Sequence, residues 1–331
     1  MKFYKILFFN TLILGTLISI SAYSWLAMWV GLELNLLSFI PLMSSENSLS
    51  SESSLKYFII QALSSMVILF FIIMNLNLDS MYITNFAYFM NSALLMKMGC
   101  APFHFWFTEI ISGLSWVNTF ILLTWQKIAP MILLMYSLFS NFFLNFVILI
   151  SLLISSIMSW NQIDIKKILA FSSINHMSWM LSIMFLNHSI WMFYFIIYMF
   201  ITLSLILMLK IYNYNLLTQI YNFSNMNKNL KLLFFCNLLS LSGLPPFMGF
   251  FPKWMVLMTL MNENFYFLSF LLIMFTLLVI YIYLMLMFNS LTIKTNESKI
   301  LIIKVNSKLM FFSNFLNLSG LIIFTIFYNY F

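Results

Sequence analysis

Four charged side chains sit where charge is costly. Glu33, Lys97, Lys127 and Lys253 each fall inside a long apolar run of the chain. An ionised group at the centre of a bilayer costs about 2.5–3.5 kcal/mol on insertion scales, so such residues face a protein interior, pair with one another or line a water path. A lysine close to the end of a run can lift its ammonium to the headgroups. Lys127 and Lys97 lie more than two helical turns into their runs, too deep for that, whereas Lys253 is nearer an end. Lysine suits proton relay because its affinity for a proton responds both to desolvation and to a neighbouring carboxylate. A Glu–Lys contact that opens and closes therefore makes the lysine bind or release a proton. A purely structural salt bridge is the competing reading. His104 and His176 add imidazoles, which change charge near neutrality, although each also fits a buried hydrogen-bonding role. His188 reads as a solvated turn residue.

Two of these lysines share their runs with a helix-breaking motif. The first is Gly99-Cys-Ala-Pro102-Phe103 and the second Gly243-Leu-Pro-Pro246-Phe247, both of the form GxxPF and both followed by aromatics and a tryptophan, Trp106 and Trp254. Proline inside a helix removes a hydrogen bond and clashes with the preceding turn. In a membrane such a break survives only inside protein or beside a water-filled cavity. A simple kink is the bland alternative. The two motifs lie five runs apart, which gives their surroundings opposite orientation. Inverted repeats with discontinuous helices at the ion site are built this way.

The elements that must hold these residues are transmembrane helices. Hydrophobic residues make up 63% of the 331 positions and charged residues only 7%, against roughly 25% charged in a soluble domain. The apolar runs reach the ~20 residues that cross a hydrocarbon core. They are apolar on all sides, unlike barrel strands, which alternate. The expectation is an all-α polytopic membrane protein of about eleven helices, at 3–22, 25–43, 54–76, 83–108, 116–138, 142–159, 166–187, 190–211, 231–258, 264–288 and 309–329. The whole chain, 1–331, is then one transmembrane unit, with approximate inverted repeats at 1–138 and 142–288 and an extra helix at 309–329.

The lysines test this threading. With eleven spans, Lys2, Lys5, Lys56, Lys166, Lys167, Lys210, Lys228, Lys231, Lys294, Lys299, Lys304 and Lys308 all fall on the N-terminal side of the membrane, and the opposite side carries Asp79 and Glu263 but no lysine. The positive-inside rule places the N-terminus in the cytoplasm or its organellar equivalent, the matrix. The C-terminus then lies across the membrane. These twelve lysines read as topology signals, so the net charge of +7 is no argument for nucleic-acid binding. All fifteen cations are lysine. The abundance of Phe, Ile, Met, Asn, Tyr and Lys is what AT-rich codons encode, as in organellar genomes. The N-terminus lacks the Arg-rich amphipathic segment of an imported precursor.

Cys100 and Cys236 form neither a metal-binding spacing nor a disulfide framework and read as buried apolar residues. No Gly-rich phosphate loop, haem-attachment motif or iron–sulfur cysteine set is present. The expectation is a chain with no cofactor or metal of its own.

Five segments together resemble a known family. They are Trp29-Val-Gly-Leu-Glu33-Leu-Asn, Lys97-Met-Gly-Cys-Ala-Pro-Phe-His-Phe-Trp106, Thr124-Trp-Gln-Lys127-Ile-Ala-Pro130, Phe171-Ser-Ser-Ile-Asn-His-Met-Ser-Trp179 and Gly243-Leu-Pro-Pro-Phe-Met-Gly-Phe-Phe-Pro-Lys253-Trp. In order and in content they are similar to the antiporter-like subunits of respiratory complex I, and among these to the subunit 2 family of mitochondrial NADH dehydrogenase in its insect-like form. The resemblance spans nearly the whole chain; the connection between the third and fourth runs and the segment 289–308 match poorly. It implies that animal members lack the first three of fourteen spans, which agrees with eleven. It implies that Glu33 and Lys97 form a switching ion pair, that Lys127 is the central relay lysine, that Lys253 is the relay residue of the second half, and that Pro102 and Pro246 mark two discontinuous helices. It further implies proton translocation across the mitochondrial inner membrane, driven by quinone reduction elsewhere, with FMN and iron–sulfur clusters in other subunits. The expected partners are the other membrane-arm subunits and phospholipid, with cardiolipin a candidate. A stand-alone cation/proton antiporter and a purely structural assembly subunit are the two other classes left open.

Overall fold

The computed structural model describes residues 3–44, 47–77, 80–137, 141–221 and 228–292, together with 315, 317, 319 and 320. Apart from one isolated antiparallel bridge, Asp164 with Leu216, the regular structure among the described residues is helical. The chain divides into two compact units, Met1–Val147 and Ile148–Phe331.

The first unit holds α1 (Phe3–Ser21), α2 (Trp25–Met43), α3 (Ser48–Asn77), α4 (Ser80–Met98), α5 (Phe105–Gly113), α6 (Trp116–Leu123), α7 (Trp125–Tyr136) and the start of α8 (Asn141–Met158). Helices α1 and α2 pack most intimately, because small residues let their backbones meet. A Cβ on Gly31 would lie 2.6 Å from the Ser19 backbone nitrogen, and one on Gly15 2.8 Å from that of Asn35. Helix α3 packs on α2, α4 and α5, and α7 packs on α1 and α4. Two tertiary bonds tie the ends together: the Trp29 indole N–H donates to the Ser65 carbonyl at 3.1 Å, and the Asn118 amide donates to the Leu42 carbonyl at 2.8 Å.

The second unit holds the rest of α8, then α9 (Ile165–Met184), α10 (His188–Tyr212), α11 (Leu217–Tyr221), α12 (Lys228–Ser242), α13 (Phe250–Asn262) and α14 (Tyr266–Thr292). Helix α9 is its axis. Eighteen of its residues are buried, all but Lys166 and Lys167, and α10, α13 and α14 pack against it. In α1, by contrast, only Leu12, Gly15, Thr16 and Ser19 are buried, and the rest presents Phe, Ile and Leu outward.

Six stretches among the described residues are long and apolar enough to cross a membrane: Phe3–Ser21, Trp25–Met43, Ser48–Leu76, Trp116–Tyr136, His188–Tyr212 and Tyr266–Phe288. The shortfall from the eleven expected runs has physical causes. The ninth run is cut into α12 of 15 residues and α13 of 13, neither of them long enough, and the fourth is cut between α4 and α5. Helix α9 has the length, but it carries Ser172, Ser173, Asn175, His176, Ser178 and Ser182 on a body buried all round, which lowers its mean hydropathy. Helix α8 contributes a shorter apolar stretch, Phe142–Met158. The run 309–329, the lysines at 294, 299, 304 and 308, and Asp79 lie outside the described residues, save for 315, 317, 319 and 320. Several boundaries shift, among them the ends of α5 at Gly113 and α13 at Asn262, past the expected 108 and 258. Helix α3 starts at Ser48 rather than 54, and the fifth run is stepped at Thr124, whose hydroxyl donates to the Phe120 carbonyl at 2.7 Å.

Candidate functional site

Both GxxPF motifs are helix breaks, and they are built alike. Helix α4 ends with the Cys100 N–H on the Leu95 carbonyl and the Gly99 N–H on the Met96 carbonyl, both at 3.1 Å. Helix α12 ends with the Leu244 N–H on the Leu239 carbonyl at 3.3 Å and the Gly243 N–H on the Ser240 carbonyl at 3.1 Å. This is the Schellman closure, which needs a left-handed residue just past the helix end. Gly99 and Gly243 supply it with φ of +72° and +78°. Three residues on, the Ala101–Pro102 and Pro245–Pro246 bonds are both cis. Helices α5 and α13 then restart the two runs. Each run is thus interrupted at the residues around Pro102 or Pro246.

A broken helix leaves carbonyls without their usual donors, and in oil each must find another. At the first break the Trp106 indole N–H donates to the Met96 carbonyl at 3.1 Å and the Gln61 amide donates to the Lys97 carbonyl at 3.2 Å. His104 caps the start of α5, buried, with Nδ1 3.3 Å from the Pro102 carbonyl and its ring 4.3 Å from that of Phe105. At the second break the donor to the Ser242 carbonyl is the Lys253 ammonium itself, at 2.7 Å.

Lys97 stands on the last turn of α4, 6% exposed. Its ammonium has no hydrogen-bond partner, and neither has Oε1 of Glu33. No ion pair joins Glu33 to Lys97 among the described residues; the nearest they come to one is electrostatic influence across a gap. The direct pair implied by the resemblance is thus not formed in this structure. Beside Lys97 is a small cavity of about 10 Å³, room for roughly one water, lined by Lys97, Asn35, Tyr57, Gln61, Gln126 and Pro130 among others. The Tyr57 hydroxyl donates to Gln126 Oε1 at 3.5 Å, and the Gln126 amide donates to Asn35 Oδ1 at 3.0 Å, so a phenol–amide chain from α3 through α7 to α2 borders the space around the ammonium.

Lys127 is 1% exposed on the first turn of α7, with its ammonium 4.8 Å from the centre of the Phe107 ring. The Cys100 thiol of the first break is its polar neighbour. A cation over an aromatic face is held by the ring quadrupole, which favours the amine deep in the unit.

Lys253, 9% exposed, lies in the first turn of α13 and stands 5.5 Å from the Trp179 ring of α9. One turn earlier on α9, His176 points Nδ1 at the Tyr194 hydroxyl, 2.9 Å away, and its ring lies 5.1 Å from that of Tyr198. Lys97, Lys127, Glu33 and His104 therefore belong to the first unit, and Lys253 and His176 to the second. Sequence reading missed Asn35, Tyr57, Gln61, Gln126, Tyr194 and Tyr198. The three amides could have been found as polar residues within apolar runs; the tyrosines had no such signal among sixteen. Among the described residues, no group of three His, Cys, Asp or Glu could hold a metal ion.

Lysines buried in a helical bundle, each beside a glycine–proline helix break or an aromatic ring, are the arrangement of an antiporter-like transmembrane protein. Residues 22–280 match the family model described as "NADH:quinone oxidoreductase/Mrp antiporter, TM". The chain belongs to this family and, within it, to the NADH-ubiquinone oxidoreductase chain 2 group. It is 46% identical over 338 aligned residues to NADH-ubiquinone oxidoreductase chain 2 of Anopheles gambiae, covering 97% of each chain. Its fold is similar to a chain of respiratory complex I from Thermus thermophilus, with a TM-score of 0.86 at 22% identity, over 97% of this chain and 78% of that one. It is also similar to a chain of the Mrp complex of Dietzia sp. DQ12-45-1b, with a TM-score of 0.80 at 13% identity, over 96% of this chain and 74% of that one.

Proposed function

We propose that this chain is a core membrane subunit of the proton-pumping NADH:ubiquinone oxidoreductase of the mitochondrial inner membrane, carrying protons through Lys97, Lys127 and Lys253. What carries the reading is one conjunction: 46% identity to an NADH-ubiquinone oxidoreductase chain 2 over 97% of the chain, and three lysines no more than 9% exposed. Eleven spans, a matrix N-terminus and a C-terminus in the intermembrane space follow from the lysine distribution. The two matched breaks favour inverted repeats over 1–138 and 142–288.

In this reading the gap between Glu33 and Lys97 is the switch. With the carboxylate drawn close, the ammonium is held; with the carboxylate apart, as here, the proton passes on. Lys127 receives it in the centre of the first half, and Lys253 serves the second, with His104 and His176 as further exchanging groups. The energy comes from quinone reduction in other subunits, which also hold the FMN and iron–sulfur clusters. Moving a charge against 100 mV costs about 2.3 kcal/mol, which no chemistry in these residues supplies. The partners are the neighbouring membrane-arm subunits and phospholipid.

The deciding experiment is Lys127→Met in the reconstituted complex. The expected result is loss of proton pumping with the complex still assembled. Pumping at the wild-type number of protons per NADH rejects the relay role of Lys127. A stand-alone antiporter predicts ion exchange by the purified chain in vesicles without NADH oxidation; the similarity over the full length to an oxidoreductase subunit favours the first reading.

A further inference from the structure

Three phenols converge on one side of α9. Tyr283 of α14 lies near Ser172 and Tyr198 of α10 near Ser173. Each serine hydroxyl donates to a carbonyl three residues earlier, Leu169 at 2.8 Å and Ala170 at 2.7 Å. The third phenol, Tyr194 of α10, does something different: it meets His176 Nδ1 at 2.9 Å. Tyr194, Tyr198 and Tyr283 are 1–2% exposed and His176 6%. The ionisable groups facing this stretch of α9 from the helices packed against it are Tyr194 and Tyr198 of α10, Tyr283 of α14 and Lys253 of α13. Lys253 stands over the Trp179 indole, whose buried N–H has no partner among the described residues.

We propose that Tyr194 is a positioning residue for proton transfer through His176: its hydroxyl oxygen accepts from the Nδ1 proton and so leaves Nε2 as the nitrogen that exchanges. An imidazole has two nitrogens, and the bond made by one sets the role of the other. With Nδ1–H committed to Tyr194, Nε2 presents its lone pair. A proton arriving there forms one N–H bond with that pair, and its departure returns the pair to nitrogen; no other bond changes. Tyr198 lies 5.1 Å from the imidazole with its ring tilted by 43°, and the hydroxyl that meets Nδ1 is that of Tyr194, so the partner that sets the tautomer is Tyr194.

This rests on His176 being an exchanging group, and the test separates the two claims. In the reconstituted complex, His176→Gln and Tyr194→Phe are compared for protons pumped per NADH, with Tyr198→Phe as the control for loss of a phenol in the same layer. Infrared difference spectra with labelled histidine read the tautomer directly, after subtraction of the His176→Gln spectrum. The expected result is an Nδ1–H imidazole in the wild type, and a pumping rate lowered several-fold in Tyr194→Phe, about the effect of one hydrogen bond, with conversion to the other tautomer. Tyr198→Phe is expected to keep the tautomer. Full pumping by His176→Gln overturns the exchanging role of His176 and the proposal with it. Impaired His176→Gln beside a wild-type Tyr194→Phe overturns the positioning role alone. Should Tyr194→Phe fail to assemble, the wild-type spectrum still decides, since an Nε2–H tautomer overturns the proposal.

Discussion

The Lys253 ammonium donates to the Ser242 carbonyl at 2.7 Å, reaching back eleven residues across the second helix break. The break frees the carbonyl, and the lysine that follows the break occupies it. A cation at the carboxyl end of a helix is also favoured by the helix dipole. The same residue thus closes a backbone vacancy, and in the proposed function it also carries a proton, two roles that compete whenever the amine gives up its charge.

Gly243 is the hinge of that arrangement. A Cβ there would sit 2.8 Å from Lys253 Cδ, on a backbone with φ of +78°. A non-glycine residue in the left-handed region costs roughly 1–2 kcal/mol. Gly243→Ala is expected to push Lys253 off the Ser242 carbonyl, lowering both thermal stability and protons pumped per NADH. Gly99→Ala, whose Cβ would meet Phe107 at 2.9 Å, is expected to disturb the ring beneath Lys127 instead. Thermal inactivation and pumping stoichiometry measured on both variants check this.

Lys56 offers the opposite case. It is exposed and bridges Glu52 at 2.9 Å and Glu109 at 3.0 Å. Exposed pairs contribute little and fade with salt. Lys56→Ala is expected to leave pumping and assembly at wild-type levels. A loss as large as that of Lys127→Met would show that burial is not what marks a functional lysine here.

Asn237 and Asn317 form a buried amide pair at 2.6 Å, and Asn317 also donates to Ser204 at 3.1 Å. The Asn317 carbonyl in turn accepts from the Met248 N–H of the second break at 3.2 Å. Removing one amide strands the other, which costs about 1–3 kcal/mol. Asn237→Leu alone is therefore expected to destabilise the complex, and Asn237→Leu with Asn317→Leu to cost less than the two single changes added together. Additive melting shifts would show that the two amides do not interact.

The α1–α2 contact gives a fourth expectation. A Cβ on Gly31 would meet the Ser19 backbone, which cannot swing aside. Forcing extra atoms into such packing costs roughly 1–3 kcal/mol. Gly31→Ala is expected to lower the amount of assembled complex without altering protons pumped per NADH in what remains, as read from the activity of purified enzyme.

Sequence alone located what is expensive. Lys97, Lys127 and Lys253 stood out because charge in an apolar run is costly, and all three are buried. The breaks at Gly99 and Gly243 were legible because proline and glycine act through local backbone geometry. Partnership was not legible. That Glu33 stands off from Lys97 while Gln126 bridges Tyr57 and Asn35 depends on how α2, α3, α4 and α7 pack, and no spacing encodes it.

The contrast between α1 and α9 bears on how such a gene can change. Leu, Ile, Phe and Met interconvert by single-base substitutions, and on the outward side of α1 any of them meets only the surroundings of the bundle. On α9 nearly every position is hemmed in on all sides. Mutational drift in base composition can rewrite the former from lineage to lineage and must leave the latter largely as it stands, so evolutionary rate along this chain should trace its cross-section.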